Sequence, residues 1–565
     1  MCYTDIIENY AMGGNIMKNA KRISCLLLAL VMVASVFAGC GKKAQKGVAG
    51  DGKIVVGIPY SASSPDINQN ELVKYIAEKT GLEIEWRLYP TAAADYKTKL
   101  QTSLLNKKEV LPDVLIGMDG LGHYTLNQFG EQGFLVDLKP LIDAGKAPNF
   151  MAAMEKLDKD TQKYVWEKGT NTVDGKSFFA MPAVTVAAPD DQESMIYVNQ
   201  KWLDAVGMKA PTTVDELVAV CKAFKEQDPN GNGEADEIPM LDASTNPEIR
   251  NWLINAFVEY NPGAFNVDKN GKVWDPLTTT EFRDALAFIA DMTTKGYYDS
   301  ASFTTAIADV KNYVSPQSGD IKVGIFGGHM ETMTNANTDA LDEFVSLKPL
   351  KDKTGKGGYN IINDVSVTWR AMITHHCVDT DEAMKFIDAW YEDEAVTRQR
   401  YGKKGEDWIE TKGESPFGTP STIQVKNTQA FFNKAENRTL GNILFIMTPE
   451  NYYYIGDTAE MGSSNRQIQV TRLVKEQWAN MMNEGKKQVD TLEQLVYTQE
   501  EYDAREEKLA DLDDYIAKEV IQFASAAKDV KDDTAWNAFK SQLESRARGE
   551  MMEIIQSAYN RKVGK

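Results

Sequence analysis

The sequence predicts an α/β fold with a largely parallel sheet and a helical C-terminal region. Three observations predict it. Short apolar strands alternate with amphipathic helical segments from Ile54 to Gly117. The mixed pattern resumes between Ser194 and Thr374. The last hundred residues carry apolar stripes at helical spacing.

Ile54-Val55-Val56-Gly57-Ile58 is a short apolar strand. A helix is predicted over about residues 70–79, closed by Gly81. Leu82 to Leu88 alternates apolar and charged residues, the period of a half-buried strand. Tyr96, Leu100 and Leu104 recur at helical spacing, and Pro112 to Gly117 reads as a third strand. This β-α-β-α-β order implies parallel pairing through right-handed crossovers. Further on, Ser194–Val198 is a strand candidate, and Thr213-Val214-Asp215-Glu216 is a capping box that opens a helix. Cys221 shares an apolar helix face with Leu217 and Phe224, which predicts a buried free thiol. Later strands are Ile321–Phe326, followed by Gly327-Gly328-His329, and about Val365 to Thr374. Leu509, Leu512, Ile516, Val520 and Phe523 form one C-terminal stripe, and Trp536, Phe539 and Leu543 another.

The N-terminus bears an export address. Lys18-Asn19-Ala20-Lys21-Arg22 precedes an apolar stretch from Ile23 to Phe37, and Ala38-Gly39-Cys40 ends it. This is the pattern of a signal peptide whose cysteine accepts a diacylglyceryl group, and two acyl chains anchor stably where one does not. Residues 1–39 are therefore expected to be a signal peptide. Asp5 and Glu8 are out of place in a basic n-region, which puts the expected translation start at Met17. Residues 40–51 form a polar, Gly-rich lipidated tether. This address places the remainder on the outer face of the cytoplasmic membrane. It argues against an ATPase, a DNA binder or a cytosolic dehydrogenase.

Composition agrees. Of 565 residues, 43% are hydrophobic and 25% charged, which is a globular balance long enough for two or more domains. The formal charge of -20 argues against nucleic acid or anionic lipid surfaces as partners.

Asp228-Pro229-Asn230-Gly231-Asn232-Gly233-Glu234-Ala235-Asp236-Glu237 reads as a calcium loop. Oxygen-bearing side chains stand at positions 1, 3, 5 and 9, and glycine stands at position 6, where such a loop turns sharply. Glu234 would offer its backbone carbonyl. Position 12 is Pro239 rather than glutamate, so Glu237 at position 10 would have to curl in. The competing reading is a plain Asn-Gly turn. A structural Ca2+ is expected with Asp228, Asn230, Asn232, Glu234, Asp236 and Glu237 around it.

No catalytic constellation is visible. His123, His329, His375 and His376 form no HExxH motif, and neither a GxSxG elbow nor a P-loop occurs. The chain holds 10 Trp, 23 Tyr and 21 Phe, side chains that pack on the C–H faces of sugar rings.

The stretches KIVVGIPY, LPDVLIG, YVNQKWLDAVGMKAPTTVDELVAVCKAFKEQDPNGNGEADEIP, KVGIFGGH and RYGKKGEDW carry a resemblance. The chain resembles the family 1 extracellular solute-binding proteins of ATP-binding-cassette importers, and within them the carbohydrate branch that includes the alginate-binding proteins. The resemblance implies a two-lobe periplasmic-binding-protein-like fold with a ligand cleft between the lobes, and calcium in the DPNGNGEADEIP loop. Lobe one is then expected to be 52–187 plus 323–370, and lobe two 188–322 plus 371–565. Crossings are expected near Pro182–Glu193, Ser318–Val323 and Val365–Ile373. This topology nominates Tyr60, Ser61, Asp119, Tyr124, Glu193, Trp252, Asn255, His329, Trp369, Arg370, Tyr401 and Trp408 as ligand contacts. The implied function is a non-enzymatic, monomeric, lipid-anchored protein that captures a carbohydrate, an oligosaccharide by expectation, and delivers it to an importer. Competing readings are a peptide-binding importer component, a secreted polysaccharide lyase or hydrolase, and a sugar-sensing lipoprotein.

Overall fold

A computed structural model of the chain describes residues 49–565 apart from 61–64, 106–109, 119–120, 187–194, 329–332, 335–338, 353, 363–364, 415–419, 427–436, 442, 449–450, 452, 455–471, 474, 481–485, 490–491 and 493–494. The expected signal peptide, residues 1–39, and Cys40 lie outside the described residues.

Seventeen strands occur among the described residues. They are β1 (Lys53–Pro59), β2 (Glu83–Tyr89), β3 (Val114–Ile116), β4 (Met181–Val186), β5 (Ile196–Asn199), β6 (Ile238–Leu241), β7 (Asn266–Val267), β8 (Val273–Trp274), β9 (Val323–Gly327), β10 (Phe344–Ser346), β11 (Tyr359–Ile362), β12 (Val365–Ile373), β13 (Trp408–Glu414), β14 (Pro420–Val425), β15 (Ile446–Met447), β16 (Tyr453–Tyr454) and β17 (Lys486–Val489).

The first apolar run builds the larger sheet. β1 pairs in parallel with β2 and β3, as the β-α-β-α-β pattern predicts. The first helix, Glu71–Thr80, forms where Asn70 caps it by accepting from the Leu72 and Val73 amides. It stops where Gly81 adopts φ 69°. The full six-stranded order is β15-β4-β12-β3-β1-β2, with β12 antiparallel to both β3 and β4 and β15 parallel to β4. The carboxyl ends of β1, β2, β3, β4 and β15 therefore share one edge with the start of β12. Ile54, Val56, Ile58, Val114, Leu115, Ile116 and Trp390 belong to the core of this lobe.

A second sheet has the order β10-β5-β9-β6. β9 runs antiparallel to β5 and parallel to β6, and β10 runs antiparallel to β5. Here the ends of β6, β9 and β10 share an edge with the start of β5. Ile196, Val198, Trp202, Leu217, Cys221 and Phe224 lie in its core. The predicted capping box is present at Thr213 and Glu216, and Cys221 is a buried free thiol.

The C-terminal helices Gln499–Ala524, Asp533–Ser545 and Arg548–Lys562 form where the apolar stripes predict them. Leu512, Ile516, Val520, Phe523, Trp536, Phe539 and Leu543 bury into the second core. Arg548 is 1% exposed. It pairs with Asp275 at 2.9 Å and donates to the Gly263 and Ala264 carbonyls.

The expected lobe boundaries need correction. Residues 323–346 belong to the second sheet, because β9 and β10 pair with β5 and β6 there. Ser318–Val323 is therefore no crossing. Val365–Ile373 is no crossing either, since β12 runs wholly inside the six-stranded sheet. The return between the sheets lies upstream, between β10 and β12. Beyond 371, Ile373, Phe386, Trp390 and Ile446 stay in the first lobe's core rather than joining the second. Of the first expected crossing, Pro182–Val186 belongs to β4 in the six-stranded sheet, and 187–193 lie outside the described residues.

Candidate functional site

In open α/β sheets ligands collect beyond the carboxyl ends of the strands. On the first sheet this edge carries the carboxyl ends of β1, β2, β3, β4 and β15. Of the sequence-nominated contacts, Ser61, Asp119, Glu193 and His329 lie outside the described residues.

Tyr60 follows β1 at this edge. It is half-buried, and its hydroxyl donates to the Pro65 carbonyl at 2.7 Å. Burial, with Asp66 nearby, raises its phenol above the ordinary range. Arg370 lies on β12. Its Nε donates to Thr368 Oγ1 at 2.8 Å, and its guanidinium stands 5.8 Å from the Phe445 ring centroid. Ser366, Thr368 and Arg370 are all half-buried, and a register shift at Arg370 interrupts the pairing of β12 with β4 between Trp369 and Ala371. The Met118 amide donates to the Arg370 carbonyl at 3.3 Å, which ties the segment after β3 to the same strand.

The other nominated aromatics serve the framework. Trp252 is 2% exposed, and its Nε1 donates to the Lys348 carbonyl. Asn255 is buried and spends its amide on the Asn251 and Tyr260 backbone. Tyr401 and Trp408 form a small core with Ile423 and Val425. Their polar atoms are bonded to the Asn451 and Gly402 carbonyls. These four are corrected from ligand contacts to packing residues. The reason is shared: each ring or amide sits on an element whose buried face turns from solvent. Trp369 is buried too, 4.6 Å from the His123 ring centroid and 5.6 Å from that of Phe178. Tyr124 accepts from the Tyr497 amide at 2.7 Å.

Sequence reasoning missed a helical segment within residues 472–480. Arg472 donates to the Leu341 and Phe344 carbonyls, and Asn480 donates to the Ser346 carbonyl, so the segment is bound to β10 and the turn before it. Trp478, half-buried, packs against the first lobe's small cluster of Ala183, Val396, Phe445 and Met447. This segment thus touches both lobes. Aromatic faces beside guanidinium and hydroxyl donors suit a ligand with C–H faces and many hydroxyls. No local pattern marks Trp478, because its value lies in contacts with strands far away in sequence.

The proposed metal loop is folded on itself. Asp228 adopts φ 44°, and Gly233 at position 6 adopts φ 81°. Asp228 accepts from the Gly231, Asn232 and Gly233 amides, while Asn230 and Asn232 accept from the Asn232 and Glu234 amides. Asp236 pairs with Lys322 at 2.8 Å, which holds its carboxyl below the usual range. Glu237 Oε1 is buried without a hydrogen-bond partner. Burial, with Asp228 and Asp236 nearby, raises its carboxyl. No cluster of three or more His, Cys, Asp or Glu side chains arranged for a metal occurs among the described residues. An orphaned carboxylate oxygen beside two further carboxylates fits a hard divalent cation.

Comparison with known proteins decides the family. The model of the bacterial extracellular solute-binding protein family matches residues 64–397, more than half of the chain. The chain belongs to that family. This solute-binding protein is 26% identical over 516 residues to the fructooligosaccharide ABC transporter substrate-binding protein FusA of Streptococcus pneumoniae serotype 4, covering 88% of this chain and 89% of FusA. It is 25% identical over 439 residues to the polygalacturonan/rhamnogalacturonan-binding protein YtcQ of Bacillus subtilis strain 168, covering 73% and 78% of the two chains. Among solved structures, S. pneumoniae FusA in complex with kestose superposes with a TM-score of 0.71 at 21% identity, covering 91% of this chain and 100% of that one. The alginate-binding protein AlgQ2 without calcium ion gives 0.63 at 19% identity, covering 90% and 98%. The solute-binding protein has their two-lobe α/β fold.

Proposed function

We propose that this solute-binding protein captures an oligosaccharide outside the cell and passes it to an ATP-binding-cassette importer. One observation carries the reading. The chain aligns along 88% of its length with a fructooligosaccharide-binding relative, itself covered over 89% of its own length. The half-buried Thr368 and Arg370 on β12 support it, because they offer hydroxyl and guanidinium groups near the carboxyl ends of the strands.

Capture proceeds by hinge closure. Open and closed forms differ by a few kcal/mol, and ligand favours the form in which both lobes touch it. Trp478 and Arg370 bind the sugar from the hinge side, while the strand-end loops of each lobe close over it. Cys40 carries the lipid that holds the protein at the outer face of the membrane, where it acts as a monomer. Ca2+ in the Asp228–Glu237 loop is structural: it neutralises the carboxylates of Asp228, Asp236 and Glu237 and pins the turn between the helix Val214–Glu226 and β6.

A thermal-shift screen against fructo-oligosaccharides, oligogalacturonides, alginate oligomers and short peptides tests the function. Ligand at 100 times its Kd stabilises by about 2.7 kcal/mol. A glycan is expected to raise Tm and peptides are not. A shift with peptides alone would move the protein to the peptide-binding class.

A further inference from the structure

The geometry points to a groove on the first lobe's flank as an extension subsite for uncharged sugar units of a glycan too long for the cleft, an inference that rests on the carbohydrate reading above. The groove has a volume of about 570 Å³, within the range of small-ligand sites. It follows the helix Asp393–Tyr401, nine residues or about 14 Å long. The helix Pro148–Glu155 walls one side through Ala152, with Lys156 just beyond its end, and the paired strands β13 and β14 wall the other through Glu410 and Thr422. Past Tyr401 the groove is closed by Lys404 and Asn451. That end adjoins the ligand edge. β15 is the outermost strand of the first sheet, and its carboxyl end lies on that edge. The Asn451 amide donates to the carbonyl of Thr448, the residue after β15, at 2.9 Å.

The charges lining the groove are all paired. Lys156 pairs with Asp393, and Lys404 with Glu410 at 2.6 Å. Glu392 is held by Lys79 at 2.7 Å, and Glu394 by Arg398 at 2.6 Å. A uronate or a phosphate would meet as much repulsion as attraction here. Neutral polar groups stand between the pairs. Asn451 commits Oδ1 to the Thr448 amide and hydroxyl, and its Nδ2 makes no bond among the described residues. Thr422 is exposed on β14. Sugar hydroxyls suit such a lining, because each can accept from an amide or ammonium and donate to a carboxylate. Ala152, Ala153 and Ile423 supply an apolar floor for the C–H faces.

The test uses the full-length chain, with kestose and inulin as a short and a long member of one neutral series. Wild type is expected to bind inulin about tenfold tighter than kestose, or more. Ala152→Trp fills the groove from an exposed helix position and should abolish that gain, while Ala152→Ser leaves the groove open and should keep it. Thr422→Val should cut the gain about threefold or more. Kestose affinity and Tm should match wild type in all three; should Ala152→Trp melt early, Thr422→Val decides. An inulin gain that survives both Ala152→Trp and Thr422→Val overturns the proposal, and so does equal weakening of kestose and inulin. Kestose binding with no gain for inulin, or binding of oligogalacturonides alone, removes the groove but leaves the carbohydrate reading standing. Failure of wild type to bind any glycan overturns that reading and the proposal together.

Discussion

Tyr124 stacks on Tyr502 with ring centroids 3.9 Å apart and planes inclined by 19°. Tyr124 stands on the first lobe's helix His123–Glu131, and Tyr502 on the first turns of the C-terminal helix Gln499–Ala524. The contact is reinforced next door, where the Tyr497 amide donates to the Tyr124 hydroxyl and the Tyr497 carbonyl accepts from Asn171 Nδ2. The body of that helix packs in the second lobe's core. A strap therefore runs from one lobe to the other, and the phenol nominated from sequence as a ligand contact is its buckle.

Tyr124→Phe should keep the stack but leave the Tyr497 amide without its acceptor. A loss of about 1 kcal/mol is expected, read as a lower urea midpoint. Tyr124→Ala removes the ring as well and should cost about 3–5 kcal/mol. Equal midpoints for Phe and wild type would show that water replaces the hydroxyl without penalty.

The Arg548–Asp275 pair should behave as a buried ion pair. Both side chains are nearly inaccessible, at 2% and 8%. Asp275→Ala leaves a buried guanidinium with the Gly263 and Ala264 carbonyls, the Phe265 ring 3.6 Å away and the more distant charge of Asp513, so a loss of about 3–5 kcal/mol is expected. Chemical unfolding followed by tryptophan fluorescence measures it, and a loss below 1 kcal/mol would contradict the assignment.

These elements were unequally legible. β1 could be read because Ile54–Ile58 is an apolar run whose neighbours in the sheet are also its neighbours in sequence. The capping box at Thr213 and Glu216 is local chemistry within four residues. The place of β12 could not be read, because its partner β4 lies about 180 residues earlier and nothing in Val365–Ile373 names it. Trp252 and Trp408 misled for a related reason. An aromatic residue announces burial or binding with the same letters, and only the packing around it separates the two. Trp478 went unread because its lobe-to-lobe position depends on β10 and β15 together.

Asp242 makes stability depend on pH. It is fully buried and accepts from the Ile249 and Arg250 amides and the Tyr298 hydroxyl. Burial dominates and raises its carboxyl to about 6, against an unfolded value of about 3.9. Between those values the folded state holds more protons than the unfolded state, so this group's contribution to stability falls as pH rises from about 4 to about 6. Asp242→Asn should flatten that part of the profile, as measured by urea midpoints across the window. An unchanged slope would remove Asp242 as its source.

Calcium should act on stability before it acts on ligand. Chelation with EGTA should lower Tm, and Asp228→Ala should remove the EGTA dependence while glycan affinity changes less than threefold. Loss of glycan binding on chelation with an unchanged Tm would place the ion in the binding site instead.

The most direct measurement is a calorimetric titration of the purified chain with fructo-oligosaccharides and oligogalacturonides, followed by chromatography of the recovered glycan. The account predicts saturable one-to-one binding of at least one glycan, returned at its original length. Shortened glycan, or no heat with any member of the panel, would contradict it.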